Sequence, residues 1–225
     1  LDKLSQFEET IPSCRLCPRL VTFREKVVPK PKFEDETYWR KPVPGFGDTK
    51  GWLLILGLAP APHGGNRTGR LFTGDLSAKF LINALYETGF ANQRTSEYRN
   101  DGLILTGCFM TAVVKCVPPN NKPLPKEVLV CSSTYLHKEI SLLKNLKAVL
   151  CLGHLAYDAY FSYMRTIGEF KKVPFKFGLK VSFDAYPKLY ASYHPSPQNT
   201  NTGKLKSEDF IHLLERIKSD RKTLI

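Results

Sequence analysis

Trp52 to Asp75 reads WLLILGLAPAPHGGNRTGRLFTGD. It begins with a short, uninterrupted apolar run, WLLIL. A strand exposed on one face would alternate, so this run predicts a parallel strand buried on both faces. A loop follows with glycines at 57, 64, 65, 69 and 74, one histidine, two arginines and a single carboxylate, Asp75, at its far end. The next segment, SAKFLINALYETGF (77–90), carries Phe80, Leu81, Leu85 and Phe90 at helical spacing, with Gly89 near its end.

The same alternation recurs along the chain. Residues 1–30 predict two helical pieces interrupted by IPSCRLCPR, and residues 29–50, rich in Pro, Gly and charge, predict a long surface connection. GLILTGCFMTAVVKC (102–116) predicts one or two strands, and 126–146 a helix opened by Pro125. AVLCLG (148–153) reads as a buried strand and 154–165 as a helix. KFGLKVSFDAY and KLYASYH (176–194) read as strands, and 207–220 as a closing amphipathic helix. Strands alternating with helices predict an α/β chain: a three-layer αβα sandwich around a short, mostly parallel central sheet, one domain over 1–225. Ligands of such sheets sit at the carboxyl ends of the strands. That rule singles out the loops after WLLIL and after LYASYH.

Thirty-three Lys and Arg against 21 Asp and Glu give a net charge of +12. A basic surface of this size suits a polyanion such as nucleic acid, although an ordinary basic surface has the same composition. No apolar stretch reaches the length of a membrane span. The opening LDKLSQFEETIPSC is polar and acidic, unlike a signal peptide, so cytoplasmic residence and no membrane partner are expected. A start at Leu1 rather than Met points to a trimmed initial residue.

Six cysteines occur. Without a signal peptide, disulfides are not expected. Cys14 and Cys17 form C-x-x-C, a common spacing for tetrahedral sulfur ligation. Cys116 ends a strand, and Cys131 lies on the inward face of the next helix with Val128 and Tyr135. These four thiolates form a candidate metal site. Zinc and an iron–sulfur cluster both accept such a set, and spacing alone does not separate them. Cys108 and Cys151 lie inside apolar runs and read as core.

GGNRTGR nearly spells a phosphate-binding P-loop. It fails where the chemistry needs Lys and Ser or Thr, since Arg70 and Leu71 stand there. What remains is a cationic loop whose glycines let backbone approach a ligand. Phe72 can stack on a base or pack in the core. Asp75 precedes a helix, where an N-cap is its ordinary role. In the second loop, SYHPSPQNTNTGKL (192–205), His194 ends a strand, and Pro195 and Pro197 stiffen the chain beyond it. Ser196 and Asn199 offer groups for phosphate.

Taken together, the C-x-x-C, GFGDTKGWLLILGLAPAPHGGNRTGRLFTGD, VVKCVPPNNKPLPKE with Cys131 downstream, and SYHPSPQNTNTGKL resemble the uracil-DNA glycosylases that carry a [4Fe–4S] cluster. The resemblance runs from about residue 14 to about residue 206. Leu58 and Ala61 make the first motif apolar where related enzymes carry an acid, which is similar to the type B branch, family 5, known mainly from thermophilic prokaryotes. The resemblance implies removal of uracil, and of other deaminated bases such as hypoxanthine, from DNA. It implies a [4Fe–4S] cluster on Cys14, Cys17, Cys116 and Cys131, and a monomer is expected. Chemistry on a base inside a duplex requires extrusion of the nucleotide. On this reading Phe72 stacks the base, while main-chain groups of the first loop around Ala59, together with Asn121, read its edge. His194 donates to O2 of the leaving base, and Asp75 orients the water or stabilises the sugar cation. Gly64, Gly65, Asn66 and Arg70 shape the pocket or touch phosphate. The loop after His194 supplies the wedge that fills the vacated stack. A non-catalytic nucleic-acid-binding module stabilised by zinc or a cluster is the alternative that shares the charge and the cysteines.

Overall fold

The computed structural model describes residues 1–183 and 186–221. Its helices and strands run in the order α1 (Lys3–Glu8), α2 (Pro18–Lys26), β1 (Phe46–Gly47), β2 (Leu53–Gly57), α3 (Gly65–Thr68), α4 (Leu76–Glu87), β3 (Cys108–Ala112), α5 (Pro125–Cys131), α6 (His137–Leu142), β4 (Ala148–Leu152), α7 (His154–Met164), β5 (Lys180–Val181), β6 (Lys188–Ser192), α8 (Pro197–Asn201) and α9 (Ser207–Arg221).

The sheet order is β1-β3-β2-β4-β6-β5. The four inner strands are parallel, with Leu53 opposite both Cys108 and Ala148, and Ala148 opposite Lys188. The two-residue edge strands run antiparallel. Every residue of β2, β3 and β4 is buried, as their continuous apolar runs require. Alternate side chains serve opposite faces. Leu54, Leu56, Val149 and Cys151 join Tyr157, Tyr160 and Met164 of α7 and Ile140 of α6. Leu53, Ile55, Leu150 and Tyr190 meet Leu81 and Leu85 of α4 and Phe210 and Leu214 of α9. Helices thus cover both faces of the sheet, giving the expected three layers. Each fully buried Leu or Ile contributes about 1.5–3 kcal/mol.

Three local expectations change. The helix expected over 126–146 is α5 and α6 joined by a π-helical turn, Ser132–Leu136. Ser133 and Thr134 return their hydroxyls to the carbonyls of Leu129 and Val130, competing with the regular backbone bonds. The region 102–116, by contrast, holds one strand, β3, within the expected one or two. Residues 29–50 are not a free surface connection. Tyr38 and Val43 are buried, Trp39 N and Arg40 N donate to the carbonyls of Arg67 and Asn66, and Phe46–Gly47 joins the sheet. Proline and glycine mark irregular backbone there, not exposure. Of the strand expected over 176–186, only Lys180–Val181 is strand, and Asp184 and Ala185 lie outside the described residues. Among the described residues no helix is long and apolar enough to cross a membrane.

Candidate active site and sulfur site

Because the inner strands are parallel, their carboxyl ends lie on one edge of the sheet, and the loops leaving β2, β3 and β6 converge there. Val113 N and Val114 N donate to the carbonyls of Gly57 and Leu58, which holds the exits of β2 and β3 together. Leu58 and Ala59 are half-buried at the start of the first loop.

Phe72 and His194 meet across this edge, with ring centroids 6.3 Å apart and planes inclined by 30°. Phe72 adopts a left-handed backbone, φ 48°, unusual for a bulky residue. Its ring lies under Gly57, where an added Cβ would stand 3.0 Å from the ring. His194 packs against Gly153, whose added Cβ would stand 3.4 Å from the histidine Cβ. Behind it, the Asn199 side-chain amide and the Ser196 N–H both donate to the His194 carbonyl at 2.8 Å. Asn199 therefore fixes the His194 backbone with the amide expected to reach phosphate, while Ser196 stays half-buried at the start of α8. Burial holds the His194 pKa down at about 4, so its ring is neutral at ordinary pH. A neutral imidazole is a donor that needs no change of charge.

Asp75 sits on the first loop. One carboxylate oxygen, Oδ1, accepts from Ala78 N at 2.8 Å and caps α4. The other faces Gly64, where an added Cβ would stand 2.5 Å away. Burial pushes its pKa up, against the pull of the Ala78 and Ser77 N–H groups and of Arg67. His194 and Asp75 both keep some exposed surface.

The remaining loop residues separate by burial. Gly64, Gly65, Asn66 and Arg70 are all buried. Arg70 donates to Thr73 Oγ1, Ser96 Oγ, the Arg99 carbonyl and Asp101 Oδ2, at 2.7–3.0 Å. Its guanidinium is therefore engaged by groups of the protein itself. Asn121 is exposed on the loop after β3 in a left-handed backbone, φ 55°, next to Asn120 at φ 54°.

Cys14, Cys17, Cys116 and Cys131 line one small cavity, together with Leu20, Arg24 and Tyr135. Cys108 and Cys151 are fully buried in strands β3 and β4. Arg24 Nη1 donates to Cys116 Sγ at 2.9 Å, and Lys115 N donates to Cys131 Sγ at 3.3 Å. Burial pushes the Cys116 thiol up to about 11, against Arg24, and Cys131 up to about 12, against Lys115. Thiolates at this site therefore call for a cation to offset burial. Among the described residues, no three His, Cys, Asp or Glu side chains are drawn together as the ligands of a single ion. The donor set, four sulfurs around one cavity with N–H groups aimed at two of them, is the set a four-thiolate metal group requires. Asn66 Nδ2 donates to the Arg24 carbonyl at 3.2 Å, tying this site to the first loop.

A family model described as "Uracil DNA glycosylase superfamily" matches residues 44–218. The chain belongs to this superfamily. It is 43% identical to the type-5 uracil-DNA glycosylase of Thermus thermophilus, over 94% of this chain and 95% of that protein. It is 42% identical to the type-5 uracil-DNA glycosylase of Pyrobaculum aerophilum, over 95% and 92%. Identity falls to 27% with the type-4 uracil-DNA glycosylase of Sulfurisphaera tokodaii, over 96% and 85%. The sequence-level resemblance to family 5 within the uracil-DNA glycosylase superfamily is therefore correct.

Some structurally important residues carry no motif. Arg24 is one, yet it joins two cysteine segments, since Nη2 also donates to the Cys14 carbonyl at 3.0 Å. Lys115, in VVKC, is buried and pairs with Glu139 at 2.6 and 2.7 Å. Glu8 lies in the same network, pushed up to about 8 by burial and by Glu139. A lysine inside an apolar strand exit was the available signal, because such a charge needs a buried partner.

Proposed function

We propose that this chain is a monofunctional DNA glycosylase that extrudes uracil from DNA and hydrolyses its N-glycosidic bond, leaving an abasic site. Other deaminated bases, hypoxanthine among them, are further substrates. The observation that carries this reading is the pairing of Phe72 with a neutral His194 at the strand ends of a member of this superfamily.

The flat base stacks on Phe72, and backbone groups around Ala59 read its edge. Asn121, on the loop after β3, hydrogen-bonds the base edge. As the bond between C1′ and the base breaks, its electron pair moves onto the base, and negative charge grows on O2. His194 donates a hydrogen bond to that oxygen, worth ~3–4 kcal/mol in the transition state. Positive charge grows on the sugar, and the Asp75 carboxylate stabilises it and orients the water. The water oxygen bonds to C1′, and its proton leaves towards Asp75. The apolar Leu58 and Ala59 leave the strand exit without an acid, which is why the carboxylate comes late in the loop.

Cys14, Cys17, Cys116 and Cys131 hold a [4Fe–4S] cluster in this reading. The bound cluster supplies a covalent brace between the N-terminal segment and the loop after β3, and no electron is required by the hydrolysis. The chain acts as a monomer. The test is excision from a uracil-containing oligonucleotide, scored as alkali-labile sites without added metal or ATP. A folded, brown, anaerobically purified protein that leaves uracil in place would overturn the proposal.

A further inference from the structure

We propose that Tyr38 and His63, with Lys30 and Lys32 beside them, form a subsite for one phosphodiester oxygen of the strand that carries the extruded nucleotide. This subsite rests on the glycosylase reading above.

The Tyr38 hydroxyl lies 2.9 Å from His63 Nδ1, and the two rings meet edge-on with centroids 6.1 Å apart. Tyr38 is buried, at 5% exposure, while His63 is only half-buried. The Lys30 backbone N–H faces the phenol oxygen, so the phenol's own proton is free to go to Nδ1. With the phenol as donor both groups are satisfied, and this is the tautomer assigned to the pair. Nδ1 is then an acceptor, and Nε2 carries the hydrogen as the ring's remaining polar atom. Burial, then Lys30, Arg67 and Lys32, hold His63 below the usual histidine range, which keeps the ring neutral.

The backbone is equally constrained. Arg67 Nε donates to the His63 carbonyl at 2.8 Å, and its guanidinium is itself held by Glu36 and by the Phe33 ring. The strap that carries Tyr38 is bonded to α3 through Trp39 N and Arg40 N. The pair is therefore set before any ligand arrives. Lys30 and Lys32 are exposed beside it. A fixed neutral N–H donor among cations selects an anion over a base edge or a cation. The next residue, Gly64, abuts Asp75 Oδ2. An anion at His63 thus lies one residue from the carboxylate that faces the sugar, which is where the backbone flanking an extruded nucleotide must run.

The experiment uses uracil duplexes with a single neutral methylphosphonate linkage placed in turn at each position flanking the uracil. Affinity and single-turnover rate are measured for wild type, His63→Ala, His63→Gln and Tyr38→Phe. In wild type, one linkage should weaken binding about tenfold or more when neutralised. His63→Ala should bind unmodified duplex more weakly by a similar factor and become insensitive to that linkage. Tyr38→Phe keeps the packing and should lose part of the same coupling, and His63→Gln, which retains an N–H donor, should recover part of it. Lys30→Ala and Lys32→Ala should each lower the salt slope of binding by about one. Undiminished sensitivity to every linkage in His63→Ala, or wild-type affinity in that variant, would overturn the subsite. Failure of the wild type to excise uracil would instead remove the glycosylase reading itself.

Discussion

Asp75→Asn separates two tasks performed by one side chain. Oδ1 caps α4 through Ala78 N, and Oδ2 faces Gly64. Asparagine caps as well as aspartate, so the variant should lose only a few tenths of a kcal/mol, a shift in Tm of about 1 °C for a chain of this length. The negative charge at Oδ2 is lost entirely. A group aimed at charge that develops in the transition state is worth ~3–4 kcal/mol, so excision should fall about 10²–10³-fold. Asp75→Ala should show the same rate loss and forfeit the cap as well, about 1 kcal/mol and a Tm lower by about 2–4 °C. The assay is single-turnover release of uracil from a duplex with enzyme in excess, beside a thermal melt of each variant. A pH series adds a third reading. Burial raises the Asp75 pKa, so the wild-type rate should begin to fall at a higher pH than an ordinary carboxylate would give, as protonation removes the charge. The residual rate of Asp75→Asn should lack that limb. Wild-type turnover in a folded Asp75→Asn protein would refute the reasoning and leave Asp75 a cap alone.

Gly64→Ala should slow excision with Asp75 intact, because its Cβ would stand 2.5 Å from Asp75 Oδ2; an unchanged rate would mean that the carboxylate is not held where its charge is needed. His194→Gln should lower excision about 10²–10³-fold. Because burial lowers the His194 pKa from 6.5 to about 4, its contribution to stability is present above pH 6.5 and lost as the pH falls through about 4, about 3 kcal/mol in all. Denaturant melts across that range should be flatter for His194→Gln. Arg70→Met removes the charge partner of the half-buried Asp101 and should destabilise by about 1.5–3 kcal/mol, read from denaturant melts. Asp101 is held at about 2 against its own burial by Arg70 and by the Leu103, Glu97 and Tyr98 N–H groups, so this stability is present above pH 3.8 and lost as the pH falls through 2. Serine at any of Cys14, Cys17, Cys116 or Cys131 should bleach the anaerobically purified protein and lower its Tm, whereas Cys108→Ala and Cys151→Ala should keep the colour.

The layers of the fold were legible because β2, β3 and β4 are buried on both faces, and only continuous apolar runs satisfy that. The cysteines were legible because C-x-x-C and an inward Cys131 are local patterns. The strap over residues 29–50 was not, because its order comes from distant backbone partners, Arg67 and Asn66, and not from its own composition. Arg70 shows the same limit at the site. Its charge is visible in the sequence, but the four groups that absorb it lie 3 to 31 residues further along the chain. Phe72 and His194 are 122 residues apart, and only the parallel order of the strands makes them neighbours.

The sheet ends at both margins in a strand of two residues, Phe46–Gly47 on one side and Lys180–Val181 on the other. Each runs against its neighbour and is too short to template a further chain. Among the described residues, molecules held at high concentration, or warmed close to melting, therefore present no long unpaired margin through which to zip together into fibres.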